Sequence, residues 1–434
     1  MVKKIFHSSI IKNTFWLLSE KLISIFGLLF VTSYVAKYIG PENFGKLNIS
    51  IYYYAILQAV AIWGSDTIGV KRISNNISSG LNFLYSFSLY KFIVFSLLSF
   101  ILEVYFFIFF DRLTFIFSLA VFLSSLFSVM DCFSLYNEAR LKSFYNVISN
   151  SIGLSISLIV RYFIAHYNFP PVFLSLSIVC AGVIPFLIRC VIFYSTHSRG
   201  TLESINYNSY YIKYGFFTGA GLLVSSVSVF LYVNISRILL GHYSTLADVG
   251  IYSVAMTLGT MWGFVNNAIV VSITPKLYSK ANTDSSSLTA FTCQILISLG
   301  ISYSLLFLFF GERVLSLLYG QQYQGAYSLT FFLIGSTCLS GLGMSISRFI
   351  ISHNGYSYLA KKSLSVAVLG CVIGVVLISN YKIVGASMTA FIIEFFSLTI
   401  MNVFFKTKVM LSLFYKILSV RFFFNTLRSF LVSR

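Results

Sequence analysis

Charged side chains interrupt stretches of the chain that are otherwise apolar: Glu20 and Lys21, Asp66, Glu103, Asp131, Arg161, Arg237, Arg348 and Glu394. A charge inside hydrocarbon costs several kcal/mol unless it faces a partner or water, so each position is a functional candidate by default. Carboxylates so placed can carry a proton or a cation, and guanidinium or ammonium groups can hold an anion. Polar and small residues fall into stripes around them. Asn48, Ala55, Ala59 and Asp66 share one helical face, because the interval from first to last is a whole number of turns at about 3.6 residues per turn. Ser253, Thr257, Thr260, Asn267 and Thr274 form a second stripe, and Glu20, Ser24 and Gly27 a third. Three such stripes suggest a hydrated route between helices, although small residues serve close helix packing equally well.

The cations divide by depth. Lys71, Arg72 and Lys276 stand at the ends of apolar runs, where snorkelling anchors are the rule. Arg189 and Arg348 also lie towards run ends, and snorkelling is sufficient for Arg189. Arg161 and Arg237 lie at run ends that need no cation for topology, which makes them better binding candidates. Lys21 adjoins Glu20 deep enough that both should face protein or water. Glu394 has no basic residue within a helical turn, so it needs a partner on another helix, water or a proton. The five histidines are scattered, with no HExxH, GxSxG or P-loop pattern. The six cysteines form no CxxC pair and read as small packing residues. No cofactor, metal site or enzyme activity is expected.

The elements that carry these residues must be membrane helices. The chain is 57% hydrophobic and 10% charged over 434 residues, a balance that a water-soluble fold could not bury. Runs of about 20 apolar residues suffice to cross a bilayer. Twelve are present, at 13–38, 44–68, 82–109, 113–136, 145–166, 172–194, 214–239, 249–273, 287–310, 326–350, 359–379 and 384–405. Lys3, Lys4 and Lys12 precede a first run too long for a cleaved signal, which therefore reads as a retained anchor. Alternate loops hold Lys71 and Arg72, Arg140 and Lys142, Arg199 and Lys213, Lys276 and Lys280, and Lys361 and Lys362, so both termini are expected in the cytoplasm. The net charge of +18 is then topology and attraction to anionic lipid, not a nucleic-acid footprint.

An offset of 205 residues superposes Gly45 on Gly250, Lys71 on Lys276 and Ser74 on Ser279. It divides the spans into six and six with the same polarity, a parallel repeat of the kind found in transporters. The expected organisation is an N-terminal bundle 1–195, a cytoplasmic linker 196–213, a C-terminal bundle 214–405 and a basic tail 406–434. Lys408, Ser412, Lys416 and Ser419 share a face of the tail, which suggests a helix lying in the interface or a simple tether.

Four segments carry a resemblance. TSYVAKYIGPENFGKLN (Thr32 to Asn48), ADVGIYSVA (Ala247 to Ala255), LYGQQYQGAYSLTFFL (Leu318 to Leu333) and YKIVGASMTAFIIEF (Tyr381 to Phe395) resemble, in the same order, signatures of bacterial polysaccharide flippases of the Wzx type. That family belongs to the multidrug/oligosaccharidyl-lipid/polysaccharide exporter superfamily. The resemblance implies an all-α polytopic membrane protein of twelve transmembrane helices, in two six-helix bundles forming a V around a central cavity. It implies as cargo an undecaprenyl-pyrophosphate-linked glycan, such as an O-antigen repeat unit, moved across the bacterial inner membrane. It also implies a glycan polymerase and a chain-length regulator as working partners. By position in the spans it suggests Lys21, Arg237 and Arg348 for the phosphates. Glu20, Asn48, Asp66, Arg161, Asn267, Lys276 and Glu394 complete the candidate cavity residues.

Two rival readings remain. A cation-coupled drug antiporter of the same superfamily would favour an acidic cavity, whereas cations outnumber acids in these spans. A membrane polysaccharide polymerase would need a long external loop or a catalytic histidine within a span. No nucleotide-binding domain fits in the chain, so any energy consumed comes from a proton or sodium gradient, the membrane potential or the substrate gradient.

Overall fold

Breaks in the helices show how the expected spans are delimited. In this computed structural model, which describes residues 2–196, 206–278, 285–419 and 421–422, every regular element is helical. Gly40 takes φ 79° and ψ 168°, a conformation open to glycine alone, and Pro41 then starts the next helix without needing an N–H partner. The single stretch Val2–Ile62 is therefore two spans joined at the Gly-Pro turn. Lys382, at φ 50° and ψ −124°, divides Tyr356–Leu398 in the same way. Its ammonium donates to the Tyr243 carbonyl at 2.8 Å. A Cβ on Gly385 would lie 2.1 Å from the Leu377 carbonyl oxygen, so this turn closes only around a glycine.

Among the described residues eight helices are long and apolar enough to cross a membrane as they stand, and the bent pair Leu29–Ile62 and Ser65–Asn75 makes a ninth. With the breaks at Gly40 and Lys382 taken as ends, the described segments run 2–39, 41–75, Ile77–Phe109, Arg112–Ala139, Ser143–His166, Pro171–Thr196, Ser209–Tyr243, 246–278, Ser285–Leu318, Ala326–Ser352, 356–381 and 383–403. These match the twelve expected spans in order. They are called spans one to twelve below.

Largely exposed apolar side chains cover the outer faces. Phe100, Phe107 and Phe109 on span three and Phe309 on span nine are each at least 70% exposed, which only lipid tolerates. The chain forms two compact units, Met1–Phe230 and Leu231–Arg434, with the division inside the helix Ser209–Tyr243.

Within the first unit, the start of span seven is fastened to spans two and three. Trp63 and Gly64 bend span two by 45°. The Trp63 indole donates to the Phe216 carbonyl at 3.0 Å and stacks on the Phe216 ring at 4.7 Å. A Cβ on Gly219 would lie 2.2 Å from the Trp63 carbonyl oxygen, so the two backbones touch directly. Upstream, the Asn206 and Asn208 amides donate to Asn82 and Ser86. Arg72, expected to snorkel, instead lies over the rings of Tyr214 at 4.3 Å and Tyr211 at 5.0 Å and donates to Ser79.

In the second unit, the helix Thr407–Leu418 is a core element rather than a tether. Met410 and Leu413 are fully buried in a cluster with Ala290, Cys293 and Leu296 of span nine and Phe349 of span ten. Gln294 donates to the carbonyls of Lys416, Ile417 and Ser419, satisfying groups that a helix C-terminus leaves open. Lys416 donates to Ser286 and Ser287. The loop before span ten is anchored similarly: Tyr319 and Tyr323 are buried beside the Gly320 turn.

Candidate functional site

Two polar sites stand out, one in each unit. In the first, span four breaks at Met130 and Asp131. Asp131 begins the short helix Cys132–Ala139, its carboxylate accepting from the Ser134 amide at 3.0 Å. The same carboxylate meets Arg189 of span six at 2.5 Å, and both side chains are over 90% buried. Arg189 also donates to Asn150 of span five at 2.7 Å. Snorkelling, expected for Arg189, does not describe it: it is a buried ion-pair partner. Lys91 of span three, fully buried, faces Asp66 at 3.8 Å and also interacts with the Asp131 charge. Two carboxylates and two cations thus form one balanced network, as a buried pair requires to offset its desolvation.

In the second unit a cavity of about 240 Å³ opens among spans eight, ten and twelve. Thr260, Asn266, Ser336, Thr337, Ser340 and Glu394 give it a polar lining. Asn266 is 1% exposed and donates to the Thr337 carbonyl at 3.2 Å, while its own side-chain oxygen meets no partner among the described residues. Beyond the cavity, Lys362 is buried in span eleven, donates to Asn402 at 2.8 Å and interacts with the Glu394 charge. The sequence placed Lys362 among the loop cations. The structure instead buries it in the second unit with its ammonium on Asn402.

The remaining candidates separate. The side chains of Glu20, Lys21 and Lys276 lie outside the described residues. Asn48 donates to the Phe44 carbonyl of its own helix at 2.7 Å. Arg161 donates to Ser177 at 3.1 Å, and Arg237 to Asn234 at 2.5 Å. Arg348 is half-buried and has no hydrogen bond or ion pair among the described residues. Asn267 is exposed, and its neighbour Asn266 takes the cavity position. Of the described candidates in this unit, only Glu394 lines the cavity. The sequence reading passed over Lys91 altogether, although a lone lysine far inside an apolar run was a visible signal.

The polysaccharide biosynthesis protein family matches residues 10–279, more than half of the chain. The protein belongs to that family. The resemblance drawn from the four sequence segments is therefore correct at the level of the family. Solved structures share the fold. An inward-facing multidrug resistance MATE transporter of the MOP superfamily aligns with a TM-score of 0.67 at 15% identity, covering 91% of this chain and 95% of its own. The lipid II flippase MurJ in an inward closed state aligns at 0.63 and 15% identity, covering 93% and 90%. A Vibrio cholerae MATE transporter, VcmN, aligns at 0.57 and 13%, covering 93% and 98%. No curated protein sequence matches. The protein is thus a multi-pass membrane protein whose described residues share the helical fold of these solved structures.

Proposed function

We propose that this protein is a flippase that moves polyprenyl-pyrophosphate-linked oligosaccharide units, of O-antigen or a similar surface glycan, from the inner to the outer leaflet of the bacterial cytoplasmic membrane by alternating access. The family match over residues 10–279 carries the reading, and the shared fold with a lipid II flippase supports it. On this reading both termini are cytoplasmic, and the six-span halves 1–195 and 214–405 are joined by the linker 196–213. The glycan polymerase and chain-length regulator act on the exported unit.

The chemistry agrees. A pyrophosphate and a hydroxyl-rich glycan cannot cross hydrocarbon unaided, because each polar group would lose its hydrogen bonds to water. Arg348 has a guanidinium that no protein group among the described residues engages, and a planar fork of donors suits phosphate oxygens. Arg161, Arg237 and Lys21 are further candidates for the same task, with Glu20, Asn48, Asp66, Asn267, Lys276 and Glu394 around them. The drug-antiporter reading gains nothing from the cavity beside Glu394, since about 240 Å³ is below the roughly 300–1,000 Å³ typical of drug-sized sites.

The test is gene deletion and complementation, with surface glycan and lipid-linked intermediates measured together. Deletion should abolish surface glycan while lipid-linked unit accumulates inside. Arg348→Ala should lower surface glycan about tenfold at unchanged protein level, with Arg348→Lys recovering part of it. Normal surface glycan in the deletion strain would overturn the reading.

A further inference from the structure

Span three carries a carboxyl group outside both polar sites. Glu103 is half-buried and makes no ion pair among the described residues. Its two oxygens are instead each met by a hydroxyl: Tyr54 of span two donates to Oε1 at 2.5 Å, and Ser118 of span four lies 2.6 Å from Oε2. Tyr54 and Ser118 are both fully buried. The rings of Phe95 and Phe122 flank Tyr54 at 6.1 and 6.3 Å. Four residues earlier on the same face of span three is Ser99, 1% exposed, whose hydroxyl lies towards Tyr54.

Counting hydrogens decides what this arrangement can hold. Ser118 has one hydroxyl proton and lies within reach of two oxygens, Glu103 Oε2 at 2.6 Å and the Phe115 carbonyl at 2.9 Å. The carbonyl can only accept. When the serine proton points at Phe115, the contact with Glu103 is a hydrogen bond only if Oε2 itself carries a proton and donates it to Ser118. When the serine turns its proton to Oε2, the carboxylate is charged and accepts two hydroxyl bonds. Rotation of one hydroxyl thus accommodates both states without moving a heavy atom. Lysine or arginine beside the carboxyl would fix it as an anion, but Glu103 has no cation within ion-pair distance among the described residues, and Lys46, about two turns before Tyr54 on span two, is engaged at 2.9 Å with both Glu42 and Asp111. The other titratable groups around the site are the phenols of Tyr54, Tyr53 and Tyr105, the latter two ringed together at 6.2 Å.

We propose that Glu103, with Tyr54 and Ser118, is a reversible proton-binding site. Oε2 takes a proton from water as the Ser118 hydroxyl turns to Phe115, and returns it as the hydroxyl turns back. Hydroxyl oxygens at hydrogen-bond distance from each carboxyl oxygen leave a proton, rather than a larger cation, as the ligand that fits. Resting on the flippase reading, this site is where a proton would be exchanged against the cargo.

The site is tested without cargo by infrared difference spectroscopy on the full chain in lipid nanodiscs, titrated with pH. Wild type should lose a protonated-carboxyl band as pH rises, and Glu103→Gln should lose that change entirely. The amide keeps an acceptor for Tyr54 and a donor for Ser118, so the variant should fold as wild type does. Glu103→Asp, with the carboxyl drawn back from the hydroxyls, should keep the band and displace its midpoint. Identical titrations of wild type and Glu103→Gln would overturn the proposal, as would a band that responds to sodium at fixed pH. A Glu103-dependent band in a protein whose deletion leaves surface glycan unchanged would refute the cargo and leave the proton site standing.

Discussion

Removing the Arg189 side chain should leave Asp131 as a carboxylate, over 90% buried, that keeps its bond from the Ser134 amide but lacks its ion-pair partner at 2.5 Å. Breaking a buried pair from one side costs about 3–5 kcal/mol, most of it the desolvation of the surviving charge. Lys91 interacts with Asp131 as well and is engaged by Asp66, so Arg189→Leu should fall towards the lower bound, about 3 kcal/mol. Asp131→Asn removes the opposite charge but keeps the cap on the Ser134 amide, because asparagine caps a helix as well as aspartate does. Asp131→Ala loses the cap too and should cost about 1 kcal/mol more. The double variant Asp131→Asn with Arg189→Leu strands neither ion and should recover about 2 kcal/mol of the summed single losses. The assay is unfolding in mixed micelles by increasing SDS fraction, followed by intrinsic fluorescence and closed as a double-mutant cycle. A coupling energy below about 0.5 kcal/mol would refute the argument, since it would mean that the two side chains do not hold each other in the folded protein.

Gly219→Ala should destabilise by about 1–3 kcal/mol, because its Cβ would lie 2.2 Å from the Trp63 carbonyl oxygen; Gly221→Ala, two residues on and with nothing within 4 Å, is the neutral control in the same melt. Gln294→Ala removes the amide whose two protons serve three carbonyls at the end of the helix Thr407–Leu418 and should speed tryptic cleavage at Lys416 severalfold, read by mass spectrometry. At the turn beyond span three, burial pushes the Asp111 carboxyl up, but bonds from Thr114 and Lys46 and the Lys46 charge outweigh it and hold the group below the usual carboxylate range. A lowered folded value stabilises above the unfolded value, near pH 4. That contribution should be lost as pH falls below it, and an Asp111→Asn variant should show a smaller acid-induced drop in melting temperature.

The spans were legible because lipid imposes one rule on every residue of a crossing helix, and a run of apolar side chains records it directly. The turn at Gly40 and Pro41 was legible for a similar reason, since both residues advertise their backbone. Lys382 was not: a positive φ at lysine is held by its contact with the Tyr243 carbonyl, a pairing remote in sequence. Arg189 and Lys362 were assigned by distance from the span end, which says nothing about the partner a neighbouring helix brings. Asn267 was a matter of phase. The stripe through Ser253 and Thr260 was extended as one continuous helix, but the helices Leu246–Thr260 and Gly263–Tyr278 are separate, and the intervening turn brings Asn266 to the cavity instead. The partition of Glu103 from the ion pairs was invisible too, because the two hydroxyls that meet it come from two other helices.

The burial of Met410, Leu413 and Ile417 beneath spans nine and ten also bears on biogenesis. Spans leave the ribosome in order, and earlier ones can enter the bilayer while later ones are still being made. The second unit, however, has a hydrophobic seam that stays open until the nascent chain has passed Ile417. During that interval Cys293, sealed in the mature protein, would be within reach of a thiol reagent, so its labelling on stalled chains would date the moment when the seam closes.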